Sequence, residues 1–308
     1  MTHIKIGTRG SRLALWQAYY VENLLQQGGL STEIVLIETK GDQILDRSLS
    51  KIGSKGVFTQ ELEDQLRDGR IDIAVHSAKD LQSELDDDLE LIAFTEREQV
   101  NDVLVSHKPD LSLSSGQPFV VGTSSTRRVA LLKHFYPHIR TVDMRGNLQT
   151  RLRKLEEGHC DAILLAYAGV HRMEYDSLIR EHLSLNEFTP AVGQGSVAIE
   201  CSQTLSDEKR TQVRTLLNHP STEVCLLAER AFLRRLQGGC SIPVFGLATL
   251  TDDTVTMTGG VVSLDGKNLL KYSITGDSSA PEQTGSQLAE RLLANGAADI
   301  LAQIKQNL

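Results

Sequence analysis

The sequence predicts an α/β protein of three domains: two similar halves that flank a cleft, and a smaller C-terminal domain with a three-stranded antiparallel sheet. Three observations lead to this fold class. The chain has 308 residues, which is enough for several hydrophobic cores. Short motifs recur in the same order in two consecutive stretches. From about residue 217 the alternation of strands and helices ends, and a different pattern begins.

The clearest repeat is a pair of turns between a strand and a helix. IGT at 6–8 and VGT at 121–123 each end an apolar run and precede a helix-like stretch. These turns contain hydroxyls and arginines, among them Arg9, Ser11, Ser125, Arg127 and Arg128. Helix N-terminal amides and guanidinium groups both favour carboxylates or phosphates. Because ligands of such sheets lie beyond the carboxyl ends of the strands, we predict an anion site at these turns.

Two further pairs of similar segments follow in the same order in the two halves. EIVLIETKGD at 33–42 resembles HIRTVDMRGN at 138–147, and LEDQLRDGRIDIAV at 62–75 resembles RLRKLEEGHCDAIL at 151–164. In the last pair Asp72 matches Asp161, each leading into a buried strand. The predicted domains are residues 1–96 with 195–216, residues 97–194, and residues 217–308.

The C-terminal region begins with an amphipathic helix at 221–236 and continues with three strand-like runs and a helix from about 281 to 305. Between the first helix and the strands lies LQGGCSIPV, residues 236–244. Its glycines allow close approach of another molecule, and Pro243 restrains the residue before it. From these residues alone, Cys240 is either a presented thiol or a small apolar filler.

Composition excludes several classes of function. The formal net charge of -8 argues against a nucleic-acid partner. No apolar run approaches the roughly 18 residues of a membrane span, so we expect no membrane partner. The N-terminal residues lack the pattern of a secretory signal, and we expect a cytoplasmic protein. The four cysteines form no CxxC pair, which predicts reduced thiols and no zinc site of the usual spacing.

Other polar residues follow predicted strands or precede helices. DIAVHSAKDLQ at 72–82 places Lys79 and Asp80 just past a buried strand, where active-site loops are common. Asp80 either stabilises a cationic intermediate or relays protons, or it is a helix cap or turn former. Lys79 either binds an anion or is solvated. KIGSKGVFTQEL at 51–62 suits either a lid over an anionic site or a plain loop. Arginines near the strand ends bind either a polyacidic ligand or surface carboxylates.

Together the motifs closely resemble the porphobilinogen deaminase family. The matching segments span residues 8 to 244 and are TRGSRLALWQ, TKGD, GSKGVFTQELE, DIAVHSAKD, VGTSSTRR, RGNLQTRL, LAYAGVHR, PAVGQGSVAIE and ERAFLRRLQGGCSIPV. The resemblance implies that the first two domains have folds like those of periplasmic binding proteins. It also implies a monomeric transferase of tetrapyrrole biosynthesis, whose small-molecule substrate is porphobilinogen. Four porphobilinogen units are added to a covalent dipyrromethane with loss of ammonia, and water then releases hydroxymethylbilane.

The resemblance also assigns roles to residues. By motif position it implies Asp80 as the catalytic carboxylate; Cys240 as the thioether attachment site of the dipyrromethane; Lys79, Ser125, Arg127 and Arg128 as cofactor-binding; Arg9, Ser11, Arg145, Arg151 and Arg172 as substrate-binding; and Lys51, Lys55 and Phe58 as lid residues. Arg12 and Gln82 depart from the family pattern, which frequently has proline after TRxS and after KDx. Two rival functions are a non-catalytic anion-binding module, in which Cys240 is dispensable, and an interaction protein with a basic face.

Overall fold

The computed structural model describes residues 2–39, 59–239 and 242–306. The predicted attachment residue Cys240 and the predicted lid residues Lys51, Lys55 and Phe58 lie outside the described residues. All other predicted site residues lie within the described part of the chain.

The first half of the fold is a five-stranded sheet. Its strand order is β2-β1-β3-β10-β4, with β1 at His3–Arg9, β2 at Ser31–Ile37, β3 at Ile73–Ser77, β4 at Leu89–Phe94 and β10 at Val197–Ser202. β1 is parallel to β2 and β3, whereas β10 is antiparallel to β3 and β4. The parallel strands β1 and β3 therefore end at the same edge of the sheet, where the first predicted turn lies.

Helices bury both faces of this sheet. They are α1 at Arg12–Gln27, α2 at Gln60–Arg67 and α6 at Asp207–Leu217. The apolar side of α1, including Val21 and Leu25, packs with Ile6 and with Val213 of α6. On the other face α2 packs through Leu62 and Leu66. Two layers of helices around a mostly parallel sheet are the arrangement that alternating strands and helices predict.

The second half has the same plan. Its strand order is β7-β6-β8-β5-β9, with β5 at Asp102–Val105, β6 at Val120–Gly122, β7 at Arg140–Val142, β8 at Ala162–Ala166 and β9 at Ile179–His182. The accompanying helices are α3 at Thr126–Phe135, α4 at Leu148–Glu156 and α5 at Tyr167–Arg172. β6 is parallel to β7 and β8, and β5 is antiparallel to β8 and β9.

The matched aspartates confirm the predicted repeat at the level of single hydrogen bonds. Asp72 accepts from the backbone N–H of Lys5 at 2.8 Å, and Asp161 accepts from that of Val120 at 2.8 Å. The backbone N–H of each aspartate in turn donates to the carbonyl of the same partner residue, at 2.9 Å. A lysine from elsewhere in the chain completes each arrangement, Lys209 at Asp72 and Lys108 at Asp161.

The C-terminal region contains the predicted three-stranded antiparallel sheet, in the order β11-β12-β13. The strands are β11 at Val244–Thr251, β12 at Thr254–Val262 and β13 at Leu269–Asp277, and helix α7 at Pro220–Arg235 precedes them. Phe232 of α7 is fully buried and packs with Met257 of β12 and Leu288 in a core of their own. The predicted fold class of two α/β halves and a small α+β region is thus confirmed.

The prediction of one continuous helix from 281 to 305 is wrong. The structure has α8 at Pro281–Leu292 and α9 at Ala298–Gln306, with a wider turn at Leu293–Ala297 between them. Gly296 has a φ of 103°, which is outside the right-handed helical region and is accessible to glycine. The Asn295 side chain donates to the carbonyl of Arg291 at 2.7 Å and thereby caps the interrupted helix.

Within the described ranges, no helix combines the length and apolar character needed to cross a membrane.

Candidate active site

A polar cavity of about 80 Å³ lies at the carboxyl ends of β1 and β3. Arg9, Ser11, Ser77 and Asp80 are among the residues that line it. Ser11 caps the N-terminus of α1 by accepting from the backbone N–H of Ala14 at 3.3 Å. The structure therefore brings the predicted catalytic carboxylate together with two of the predicted substrate-binding residues.

Asp80 belongs to a 3₁₀ turn, Ala78–Asp80, that directly follows β3. Asp80 is exposed, whereas the neighbouring Lys79 is partly buried. Burial lowers the pKa of Lys79 to about 8; Asp80 opposes this change, and the nearby Arg128 adds to it. Lys79 is therefore a cation near neutral pH, held beside an exposed carboxylate.

A glycine in the segment between β9 and β10 packs closely against this turn. Gly193 has a φ of 78°, and a Cβ built on it would lie 2.8 Å from the carbonyl carbon of Ala78 and 2.9 Å from the backbone nitrogen of Lys79. Only glycine allows this conformation and this close approach without strain. The segment before β10 thus sets the position of the turn that contains Lys79 and Asp80.

The second turn contains a buried ionic triad. Ser125 caps α3 by accepting from the backbone N–H of Arg128 at 3.4 Å. Arg127 and Arg128 each donate through Nη2 to a different oxygen of Asp102, at 2.7 Å in both cases. Burial alone would raise the pKa of Asp102, but the two guanidinium groups hold it well below the ordinary range of a carboxyl group.

This triad gives Arg127 and Arg128 a buried carboxylate partner, whereas the sequence left open a polyacidic ligand or surface carboxylates. Sequence reasoning missed Asp102, although an aspartate that opens the buried apolar run DVLV is a visible signal. One carboxylate between two guanidinium groups leaves a net single positive charge. Arg128 Nε is buried and makes no hydrogen bond to any described residue.

Arg151 lies close enough to both turns to respond to their charges. Its pKa falls to about 10, first because of burial and then because of Arg128, while Asp80 acts in the opposite direction. Arg151 Nε donates to the carbonyl of Gly146 at 2.8 Å, and Arg145 pairs with Asp143 at 3.0 Å. The charges of Arg128 and Asp80 therefore both act on Arg151, although these residues come from different halves of the fold.

Arg172, at the end of α5, contacts the first half. Its guanidinium lies 5.1 Å from the ring centroid of Trp16 in α1, and its Nη2 donates to the carbonyl of Gly195 at 2.9 Å. Burial lowers the pKa of Arg172. Its Nε is buried without a hydrogen-bond partner in the part of the chain that the structure describes. Arg172 is not among the residues that line the cavity at Asp80.

His76 lies in a buried, hydrogen-bonded environment that is typical of a structural residue. Its Nε2 lies 2.9 Å from Oε2 of Glu200, a fully buried carboxylate on the neighbouring strand β10. Cys160, Cys201 and Cys225 are free and buried. Among the residues described, no three His, Cys, Asp or Glu side chains are grouped so that they could hold a metal ion.

A wider cavity of about 290 Å³ lies at the corresponding ends of β6 and β7. Ser124, Thr141, Asp143 and Lys133 are among its lining residues, and Leu264 joins them from the connection between β12 and β13. Its lining, as far as the described residues go, includes none of the predicted site residues.

These observations define a class of protein: a two-halved α/β protein whose cationic turns suit an anionic ligand and lie beside the exposed carboxylate of Asp80. The residues fit a ligand with several carboxylates, because Lys79 and Arg151 retain positive charge near neutral pH and the guanidinium of Arg128 lies close to both. A dipyrromethane bearing acetate and propionate groups is such a ligand.

Comparison with known proteins identifies the family. Residues 4–212 match the family model described as porphobilinogen deaminase, dipyromethane cofactor binding domain, and residues 223–294 match the porphobilinogen deaminase C-terminal domain. The porphobilinogen deaminase of Cytophaga hutchinsonii is 60% identical over 305 residues, covering 99% of this chain and 98% of that protein. That of Desulfosudis oleivorans is 56% identical over 304 residues, covering 98% of both chains.

The chain belongs to the porphobilinogen deaminase family. It is a transferase that holds a dipyrromethane cofactor and condenses four porphobilinogen molecules head to tail with loss of ammonia, releasing hydroxymethylbilane. Among solved structures, the periplasmic VFT2 domain of Bordetella pertussis BvgS is similar with a TM-score of 0.39 and 17% identity, covering 69% of this chain and 92% of that chain.

Proposed function

We propose a division of the family's reaction among individual residues of this chain. Asp80 stabilises the developing positive charge; Lys79, Ser125, Arg127 and Arg128 hold the cofactor; Arg9, Ser11, Arg145, Arg151 and Arg172 hold substrate carboxylates; Cys240 forms the thioether; and Lys51, Lys55 and Phe58 belong to a lid. The observation that carries the proposal is the position of the exposed carboxylate of Asp80. It lines the same cavity as Arg9, and its charge acts on Lys79 and Arg151.

The chemistry requires such a carboxylate. Loss of ammonia from the aminomethyl group of porphobilinogen leaves an electron-poor pyrrole, and positive charge develops on its ring nitrogen. The bound dipyrromethane supplies a free pyrrole α-carbon as the acceptor for the first unit. Asp80 lies where a fixed negative charge can stabilise the positive charge, and its position on a turn held by Gly193 limits reorganisation during the reaction.

The surrounding cations have a different task. Each pyrrole carries acetate and propionate, so the bound chain gains negative charge with every addition. Lys79, Arg128 and Arg151 are partly or fully buried, and a buried cation attracts a carboxylate more strongly than a solvated one. These residues bind and orient carboxylates, while Asp80 remains the group directed at the reacting ring.

The substitution Asp80→Asn tests this assignment. We expect ammonia release to fall about 10²–10³-fold, because the amide has nearly the same shape but carries no charge. The control is Asp68→Asn, which removes an exposed carboxylate paired with Arg70 at 2.7 Å, away from the cavity. If Asp80→Asn released ammonia at the rate of Asp68→Asn, the catalytic role of Asp80 would be refuted.

We further propose that the protein is a cytoplasmic monomer. Within the described ranges only Tyr19 and Leu36 are exposed large apolar side chains, which supports a molecule without a large apolar interface. Light scattering after size exclusion tests the oligomeric state: the mass of one chain is expected, and twice that mass would contradict a monomer. Fractionation of the source cells tests the cytoplasmic location, and recovery in another fraction would contradict it.

A further inference from the structure

Asp102 has an unusual environment for a carboxylate that is not part of the proposed reaction chemistry. It is fully buried at the start of β5, and it pairs with both Arg127 and Arg128. Gln194 Nε2 adds a third donor, 3.0 Å from Oδ1 of Asp102. A carboxylate with three side-chain donors is held in one orientation, and it holds its partners in turn.

The two arginines do not have equivalent surroundings. Arg127 donates through Nη1 to the carbonyl of Thr189 at 2.9 Å and through Nη2 to Asp102. Arg128 donates through Nη1 to the carbonyl of Leu164 at 2.9 Å and through Nη2 to Asp102, but its buried Nε makes no hydrogen bond to the described residues. Arg151 responds to the charge of Arg128. Arg128 is therefore the member of the triad that adjoins the proposed site.

We propose that Asp102 is a positioning residue for cofactor binding: it neutralises Arg127 and fixes Arg128, so that Arg128 keeps its place beside Lys79 and Arg151 as a cation for a cofactor carboxylate. The inference rests on the proposed function, because it takes the cofactor to be the ligand of Arg128. It also refines that proposal, since Arg127 acts through Asp102 and Arg128 meets the ligand.

If Asp102 acted only through its charge, its removal should strengthen cofactor binding. Asp102→Asn removes one negative charge from a cationic cluster, and a polyanionic ligand should then bind more strongly if only the charge mattered. If Asp102 acts by position, the same change leaves two neighbouring guanidinium groups without their shared acceptor. The cofactor should then be captured more slowly despite the larger positive charge.

The first experiment measures how fast cofactor-free protein gains mass on incubation with porphobilinogen. We expect Asp102→Asn to load about 10- to 100-fold more slowly than the parent, the factor for one lost charge-assisted hydrogen bond. The control is Asp72→Asn, which changes a carboxylate at the start of another buried strand, outside the cavity. Loading of Asp102→Asn at or above the parent rate would overturn the inference. If the parent itself gained no mass, the proposed function would fail instead.

A second readout distinguishes positioning from a general loosening of the fold. The charged groups that act on Lys79 are Asp80, Arg128, Asp102 and Arg127, and the carboxylate of Asp102 raises the pKa of Lys79. The rate of Lys79 acetylation against pH should therefore have a lower midpoint in folded Asp102→Asn than in the parent. A midpoint shifted upward, towards that of a solvated lysine, would contradict positioning.

Two arginine variants extend the test to the case in which Asp102→Asn does not fold. Arg128→Gln should slow loading on the order of tenfold more than Arg127→Gln, because Arg128 is the member of the triad that adjoins Lys79 and Arg151. Equal loading rates in the two variants, or slower loading in Arg127→Gln, would overturn the division between them.

Discussion

At the scale of single residues, the proposed site contains cationic side chains whose pKa values are lowered by burial. Lys79 is the clearest case, since burial is the main cause that lowers its pKa to about 8. A lysine in this range binds carboxylates at neutral pH and releases them in mild alkali. The exposed Asp80 beside it favours the charged form of Lys79.

Lys79 should give cofactor capture a pH dependence. In the folded protein it loses its proton as the pH passes about 8, so we expect the rate of cofactor loading to fall above that pH. The free energy of unfolding should change in the opposite direction. The unfolded chain keeps the proton to about pH 10.4, so the contribution of Lys79 to stability should rise with pH between these two values.

Loading rates from about pH 7 to 9.5 test the prediction for cofactor capture. In Lys79→Arg the charge persists and this decline should disappear; a decline as steep as the parent's would show that another group controls it.

At the scale of elements, the decisive contact joins parts of the chain that are far apart in sequence. The segment before β10 packs against the turn after β3, and Gly193 makes that approach possible. The same segment supplies Gln194, whose side chain donates to Asp102. One connection therefore supports both the turn with Asp80 and the triad with Arg128.

Gly193→Ala tests the importance of this contact. We expect it to lower the free energy of unfolding by about 1–3 kcal/mol through strain at positive φ and contact with Ala78, and to slow turnover by displacing Asp80. Gly29→Ala is the matched control, because Gly29 also has a positive φ, 85°, but has open space around it. If both variants lost the same stability and neither lost activity, the packing against Ala78 would have no functional role.

Sequence reasoning succeeded where the determinants are local or repeated. The turns after β1 and β6, the matched Asp72 and Asp161, and the three-stranded sheet all follow from patterns within short windows. The broken C-terminal helix had a local signal in Asn295 and Gly296, which the apolar periodicity outweighed.

The triad of Asp102 with Arg127 and Arg128 could not be predicted from spacing. Arg127 and Arg128 follow Asp102 by 25 and 26 residues, and the three meet because β8 separates β5 from β6, the strand that leads into α3. The motif positions did indicate which residues gather near Asp80, as Arg9 and Ser11 do in the cavity. The roles of Cys240 and of the lid residues stay predictions, because they lie outside the described residues.

At the scale of the whole molecule, one buried carboxylate connects the C-terminal region to both segments that run between the two large sheets. Glu229 of α7 pairs with Arg97 at 2.6 Å and accepts from the backbone N–H groups of Gly193 and Ala248, each at 2.8 Å. Arg97 also donates to the carbonyl of Gln194 at 2.9 Å. The position of the C-terminal region is therefore coupled to the segments that support the site.

Glu229→Gln should destabilise the whole molecule. Removing one partner of a buried ion pair typically costs about 3–5 kcal/mol, because the remaining charge is left uncompensated. Glu223→Gln is the control, since Glu223 pairs with Arg214 near the surface and should contribute only about 0–1 kcal/mol. Chemical denaturation measures both variants. Equal midpoints would contradict the assigned importance of the buried junction.

The most direct test of the central claim is the intact mass of the denatured protein, with Cys240→Ser measured beside it after incubation of both with porphobilinogen. A thioether survives unfolding, whereas a reversibly bound ligand is lost. We expect the parent to carry the added mass of two pyrrole units and Cys240→Ser to carry none. A parent that remained at the bare polypeptide mass, or a Cys240→Ser variant that gained the same mass, would contradict covalent attachment of the cofactor at Cys240.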